Sequence, residues 1–446
     1  MKKRTRQRTR RKVAAPGPVR REASPPQLVQ IEKAIYGGAF LARLDGKAVF
    51  VPMALPGEQA RVQIVEEKRG YATAEVEEIV AAAAERIKPA CKHFGACGGC
   101  QYQHASYTAQ LAMKREILVE TLERGGVRAP DEIAVLAGVS WAYRNRIRLA
   151  LDAEGNVGYR GRRSHAVVTI DECPIAAPLL VRAALAVGEI VRGLNSRMRP
   201  SEIALFCNGD ETALLVLLMV ASGESRWLVD FAQALAERIP ELKGVELVAE
   251  GGTGQPPRSI AKWGASSLLY RAAEFNYRVD QGAFFQVNRW LVDRLVECVT
   301  DGHAGGLAWD LFAGVGLFAR QLADGISRVV AVESAPAAIA ALRQNLDGTS
   351  AAAVQAATLD FLHGARSGER PDLIVVDPPR MGLGAETTAL LGQIAAPVLV
   401  YVSCDPATLA RDLRALIGTG YAIESVTLAD LFPQTFHLET VVRLRR

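Results

Sequence analysis

Leu307-Ala308-Trp309-Asp310-Leu311-Phe312-Ala313-Gly314-Val315-Gly316-Leu317-Phe318 is the stretch on which the reading of the fold turns. An apolar β-type run stops at a glycine pair and hands over to a helical pattern, the strand–turn–helix start of an open α/β sheet. Working outward, Arg328-Val329-Val330-Ala331-Val332-Glu333 reads as the next strand. Asp372-Leu373-Ile374-Val375-Val376-Asp377 and Val398-Leu399-Val400-Tyr401-Val402 continue the series, with helical patterns between them. The expectation is a doubly wound, largely parallel sheet in an α/β unit over residues 276–446, with no internal repeat.

In such sheets chemistry gathers in the crevice beyond the carboxyl ends of the strands. Gly314 and Gly316 let the backbone approach a ligand there, although a glycine pair alone is weak, and the third glycine of a nicotinamide-binding fingerprint is absent. Glu333 ends the second strand, where a carboxylate can accept both ribose hydroxyl protons. Asp360 follows the third strand, placed to meet an adenine amino group, and Asp377-Pro378-Pro379-Arg380 ends the fourth. Together these resemble the class I S-adenosylmethionine-dependent methyltransferases. Tyr401-Val402-Ser403-Cys404-Asp405-Pro406 then puts a thiol at another strand end, and Phe436-His437-Leu438-Glu439-Thr440 supplies a carboxylate in a further strand-like run. A nucleophilic sulfur and a base are the two groups that methylation of a pyrimidine at C5 requires. A lone cysteine at a strand end is otherwise most often a packed thiol. Amino-group methyltransferases stack the target base on an aromatic residue after the prolines, where this chain has Arg380. Cytosine-C5 enzymes resemble a pattern with a cysteine beside the strand-four proline, and none stands there.

Upstream, residues 27–85 show short strands punctuated by Gly37-Gly38, Asp45-Gly46, Pro56-Gly57 and Arg69-Gly70, which suggests a small barrel of the oligonucleotide-binding type. Residues 86–275 form an expected central α+β unit that holds Cys91, Cys97, Cys100 and Cys173. Three close cysteines and a distant fourth make a good metal site; by ligand type alone either zinc or a [4Fe–4S] cluster is compatible. His93 and His104 flank the set, while Cys207 and Cys298 lie in apolar patterns and read as packing residues. Arg144, Arg146 and Arg148 alternate along one strand, with Arg160, Arg162 and Arg163 beyond a turn, a spacing suited to phosphate contact.

The net charge of +5 is concentrated at one end. Residues 1–22 carry ten Lys or Arg and one Glu, so the remainder is net acidic. Residues 1–26 read as a basic, disordered tail suited to a polyanion such as RNA, or as a plain solvated extension. No apolar run is long enough to span a bilayer and no signal peptide is apparent. Seven cysteines, four in a metal-like set, favour a reducing cytoplasm over a disulfide framework. No obligate protein partner is evident.

Tyr401 to Asp412, Phe284-Phe285-Gln286-Val287-Asn288, Asp377-Pro378-Pro379-Arg380 and His437-Leu438-Glu439 together resemble the RNA 5-methyluridine methyltransferases. The barrel resembles that family's TRAM domain, and the four cysteines resemble its iron–sulfur site. The resemblance runs over about residues 28–446 and is nearest in look to the members that methylate 23S ribosomal RNA. It implies that Cys404 is the nucleophile and Glu439 the proton-abstracting base. It further implies that Gln286, Phe312, Glu333 and Asp377, with Asp360 as an addition, hold S-adenosylmethionine, and that Cys91, Cys97, Cys100 and Cys173 hold [4Fe–4S]. Leu317 departs from the polar residue of many relatives and is left out of the site. The same chemistry on transfer RNA, or a non-catalytic iron–sulfur RNA-binding protein, are the alternatives. A binding protein would need neither Cys404 nor Glu439.

Overall fold

The computed structural model describes residues 25–221, 225–251, 257–365 and 368–446, so the basic tail up to residue 24 lies outside the described residues. Strands Ala351–Gln355, Ile326–Glu333, Gly305–Leu311, Leu373–Val376 and Val398–Ser403 lie side by side in that order, all parallel. The sheet continues through Glu439–Arg445, antiparallel to Val398–Ser403, then Ala422–Ala429 and Ala134–Leu136, eight strands in all. Every residue of Leu373–Val376 is buried, as is all of Val398–Ser403 except its first. Such continuous apolar runs, without alternation, are what a parallel sheet covered by helices on both faces requires. One face packs Trp309, Ile374 and Tyr401 into a core shared with the barrel. The other packs Ala308, Val375 and Val400 against Tyr270 and Tyr277 of the hairpin Ser267–Ala272/Phe275–Asp280.

The expected N-terminal barrel is present. Strands Gln27–Ala34, Ala39–Leu44, Lys47–Pro52, Gln59–Glu67 and Tyr71–Ala81 close on themselves with the last two exchanged in order. A seven-stranded mixed sheet between residues 146 and 264 carries helices Pro178–Arg192 and Leu228–Arg238 and its own core.

Two segments expected in the central unit belong physically to the catalytic sheet. Helix Tyr107–Arg124 packs on helix Pro406–Gly418, and Ala134–Leu136 is an edge strand beside Ala422–Ala429. The hairpin that straddles residue 275 is tied to helix Pro336–Asn345, whose Asn345 exchanges hydrogen bonds with the backbone of Arg278 at 2.8 and 3.0 Å. Local pattern gives each element but not the sheet that completes its apolar face.

Lys114 on helix Tyr107–Arg124 is fully buried, with its Nζ 2.6 Å from Asp430 Oδ1 and 3.0 Å from the carbonyl of Phe432. Asp430 is fully buried too, and it opens the loop that leads into Glu439. Removing one partner of such a pair leaves a bare buried charge. We expect Lys114→Ala to destabilise the protein by about 3–5 kcal/mol, read by urea denaturation. Lys114→Met combined with Asp430→Leu should cost less than Lys114→Ala alone.

Candidate active site

Three strand ends meet by register. Val376 lies beside Tyr401 in the parallel pair, and Ser403 faces Thr440 in the antiparallel pair. The next residues along are Asp377, Cys404 and Glu439, so the sheet brings an acid, a thiol and a second acid to one edge. Strand Val398–Ser403 gives way at once to helix Pro406–Gly418. There Asp405 accepts hydrogen bonds from Ala407 N and Thr408 N at 3.0 and 2.9 Å, and Pro406 supplies a preset first turn. Cys404 is thereby held, half-buried, at the joint.

The site is rich in acids and poor in cations. Burial pushes the Cys404 thiol up to about 11, Glu439 and Asp377 add to that shift, and Arg380 opposes it. Burial also raises Glu439, with Asp377 next and Arg380 again opposing, and burial raises Asp377. Arg380 itself reaches His437, Nη2 to Nδ1 3.2 Å. Burial, then the neighbouring Arg380, hold that imidazole down at about 4, so it is neutral near pH 7. Tyr36 of the barrel donates to the carbonyl of Cys404 at 3.4 Å and meets Phe436 edge-on at 5.6 Å.

Beside this edge a cavity is lined by Phe284, Gln286, Phe312, Gly314, Leu317 and Asp377, among others. Phe312 has φ +66°, a left-handed conformation that bulky residues seldom adopt; it turns the chain off strand Gly305–Leu311 into the loop. Gly316, at φ +90°, would press a Cβ to 2.7 Å of Leu342, whereas a Cβ on Gly314 would meet nothing within 4 Å. The backbone at Gly314 thus faces open space in the cavity wall. Glu333 borders it by accepting a hydrogen bond from Gly314 N at 2.8 Å. The structure therefore gathers Gln286, Phe312, Asp377 and Glu333. Asp360 sits exposed in the first turn of helix Thr358–Ala365 and is not among the lining residues. Leu317, left out on sequence grounds because it lacks a polar group, does line the cavity, as apolar wall.

Asp310 went unremarked in the sequence, although an acid just before the glycine loop was the available signal. It is fully buried, its Oδ2 accepts from Ala319 N at 2.9 Å, and its Oδ1 has no partner. Burial, then Asp377 and Glu333, push it up to about 8. Asp377 in the lining and Glu333 at its border give the cavity an acidic side, which fits a cationic ligand, as a sulfonium with an α-ammonium group would be.

Cys91, Cys97, Cys100 and Cys173 line one cavity with Phe94, Tyr159 and Arg144. Burial raises the thiols of Cys91 and Cys97, and that of Cys100 to about 12. Gly99 N donates to Cys97 Sγ at 3.4 Å, and Tyr159 Oη lies 3.7 Å from Cys173 Sγ. Among the described residues, no three His, Cys, Asp or Glu side chains converge as ligands of a single ion.

The arginine stripe is largely spent inside the protein. Arg144 is half-buried, its Nε donating to Tyr143 Oη at 3.2 Å. Arg146 lies over the Phe206 ring at 4.5 Å and donates to Ala283 O at 2.9 Å. Arg162 and Arg163 both pair with Glu75 of the barrel, and Arg148 and Arg160 with Glu202. Alternation along the strand does not say what each arginine meets.

Asp310 sets a pH dependence. Its folded value near 8 lies above the ordinary aspartate value of 3.8, so the folded state holds the extra proton between them. Stability from this group is therefore full below the lower value and is lost as pH rises through the upper one. Asp310→Asn keeps an acceptor for Ala319 N, and its melting temperature should fall less than that of the wild type between about pH 5 and 8. Parallel curves for the two proteins would count against this.

Comparison with known proteins identifies the family. The family model described as tRNA (uracil-5-)-methyltransferase matches residues 106–446, and a TRAM domain model matches residues 26–76. The chain is 35% identical over 442 residues to 23S rRNA (uracil(1939)-C(5))-methyltransferase RlmD of Aromatoleum aromaticum, covering 93% of this chain and 99% of that protein. To the protein of the same name in Halomonas elongata it is 32% identical over 435 residues, covering 93% and 88%. The crystal structure of Pyrococcus abyssi tRNA (uracil-54, C5)-methyltransferase in complex with S-adenosyl-L-homocysteine shares the fold, with TM-score 0.75 at 24% identity over 93% of this chain and 99% of that one. On these matches the chain belongs to the uracil-5-methyltransferase family, the S-adenosylmethionine-dependent enzymes that methylate uracil C5 in RNA.

Proposed function

We propose that this protein methylates C5 of a specific uridine in 23S ribosomal RNA. The observation that carries the chemistry is the register that puts Cys404, Glu439 and Asp377 at one sheet edge beside the glycine-loop cavity. The two relatives named for 23S rRNA, matched along nearly their whole length, support the choice of RNA.

Bound S-adenosylmethionine would supply an electrophilic methyl group, held by Gln286, Phe312, Glu333 and Asp377. Asp360, outside the cavity lining, is the added contact to the adenine amino group. Cys404 Sγ adds to C6 of uracil, and the electron pair moves to C5, which takes the methyl group. Glu439 then removes the C5 proton, and elimination of the Cys404 thiolate restores the C5–C6 double bond. Arg380 is the protein cation that offsets the charge on Cys404 and Glu439, so it favours the thiolate. The target base must leave its stack to reach this edge.

Residues 27–85 act as an RNA-holding barrel, residues 86–275 as a central domain with a second RNA-binding surface, and residues 276–446, with the segments Tyr107–Arg124 and Ala134–Leu136 packed on them, as the transfer domain. The cysteine cavity holds [4Fe–4S] through Cys91, Cys97, Cys100 and Cys173. By ligand type four thiols around one cavity suit zinc or [4Fe–4S] alike, and the resemblance to the RNA 5-methyluridine methyltransferases is what favours the cluster. Its part is to hold the segment together, because methyl transfer moves no electron between metal centres. A cytoplasmic setting goes with such a cluster and with an RNA substrate. No helix among the described residues is long and apolar enough to cross a membrane.

In a strain lacking the gene, 5-methyluridine should disappear from one site in 23S rRNA. Wild-type protein should restore it and Cys404→Ala should not, while Glu439→Gln should accumulate a covalent RNA–protein band on a denaturing gel. Loss of the mark from transfer RNA instead would move the substrate assignment. Normal turnover by Cys404→Ala would remove the mechanism.

Protein purified without oxygen should be brown and contain iron and sulfide in about equal amounts. Cys173→Ala should lose the colour. One zinc per chain and no iron in the wild type would reject the cluster.

A further inference from the structure

Glu439 is presented by the loop between strands Ala422–Ala429 and Glu439–Arg445, and one residue of that loop carries an unusual load. Gln434 is 3% exposed and has φ +68°, a left-handed backbone on a residue with no glycine-like freedom. Its carbonyl accepts from both Gln101 N and Tyr102 N at 3.0 Å. Its amide side chain and backbone N–H are matched to one partner: Gln110 Nε2 donates to Gln434 Oε1, and Gln434 N donates to Gln110 Oε1, each at 2.9 Å. Gln110 is held in turn by donating to Ala105 O at 3.0 Å. A conformation this uncommon persists only where its surroundings over-determine it.

The consequences lie on both sides of the kink. Immediately after it, the rings of Phe436 and His437 meet at 4.3 Å, tilted by 39°, His437 meets Arg380, and Glu439 opens the strand beside Cys404. On the other side, Gln101 and Tyr102 directly follow Cys100, a member of the four-cysteine cavity. We infer that Gln434 is a positioning residue for the proton-abstraction step, its kink aiming Glu439 at the substrate C5 while the segment after Cys100 and Gln110 clamp it. The inference rests on Glu439 being the base. It also ties the order of the cysteine segment to the second half of the reaction, not to the addition of Cys404.

The two halves can be read separately. RNA with 5-fluorouridine at the target traps the adduct once Cys404 has added and the methyl group has moved, because no C5 proton is available to remove. With full-length Gln434→Ala and S-adenosylmethionine, trapping on fluorinated RNA should stay within about threefold of wild type, while turnover on ordinary RNA falls by about ten- to a hundredfold with adduct accumulating. Gln434→Gly, which takes the left-handed backbone freely, should recover part of the turnover that Gln434→Ala loses. Gln110→Ala, leaving Gln434 and its backbone bonds in place, should show the same split and guards against misfolding of the first variant. Equal losses in trapping and turnover, or unchanged turnover in both Gln434→Ala and Gln110→Ala, would overturn the inference. Glu439→Gln run in parallel separates the causes: adduct accumulating there but not in Gln434→Ala rejects the clamp alone, and accumulation in neither rejects the base assignment with it.

Discussion

A lysine ammonium and an aspartate with no exposed surface hold the active edge of this protein in shape. The ion pair of Lys114 and Asp430 lies where helix Tyr107–Arg124 meets the far end of the catalytic sheet, and Lys114 also binds the carbonyl of Phe432. Burying two charges is costly, and their attraction returns that cost only while both stay paired. The helix therefore cannot drift from residues 430–432 without exposing or stranding a charge. Four more contacts act on the same loop: Asn288 on Leu431 O, Tyr143 on Pro433 O, Gln110 on Gln434, and the backbone of Gln101 and Tyr102 on Gln434 O. Elements from every part of the chain converge on the short stretch before Glu439.

That convergence matters because the chemistry needs rigid placement of groups that repel one another. Burial raises the proton affinity of all three, Glu439 and Asp377 raise that of Cys404 further and Asp377 that of Glu439, with Arg380 as the opposing charge on Cys404 and Glu439. Left to relax, such a cluster would spread toward water. The sheet forbids this, since each group is fixed one residue beyond a paired strand position. The strain is visible nearby as the left-handed backbone of Phe312 and of Gln434. Free energy gained in the core is stored there as geometry.

The N-terminal barrel is bound into the same arrangement. Tyr36 reaches the carbonyl of Cys404 and the ring of Phe436, and Glu75 draws in Arg162 and Arg163. A barrel tethered only by a linker would bring RNA near the site; this one forms part of the wall around the nucleophile.

Much of this was legible in the chain. The apolar runs ending at Leu311, Glu333, Val376 and Ser403 gave the parallel sheet, because a strand buried on both faces has no polar alternation to conceal. The glycine loop, Asp377, Cys404 and Glu439 were readable because strand ends are where such sheets expose reactive groups, and the four cysteines because their spacing is distinctive. Contacts distant in sequence decided the rest. Nothing local distinguishes Arg144 and Arg146, turned inward onto Tyr143 and Phe206, from arginines left free for phosphate. Nor does local pattern assign helix Tyr107–Arg124 to the catalytic sheet, mark Asp310 as a buried acid, or foresee that Gln434 would be bent and clamped. Periodicity records which side of an element is apolar; only packing settles what lies against that side, and with it the dielectric and the charges each side chain meets.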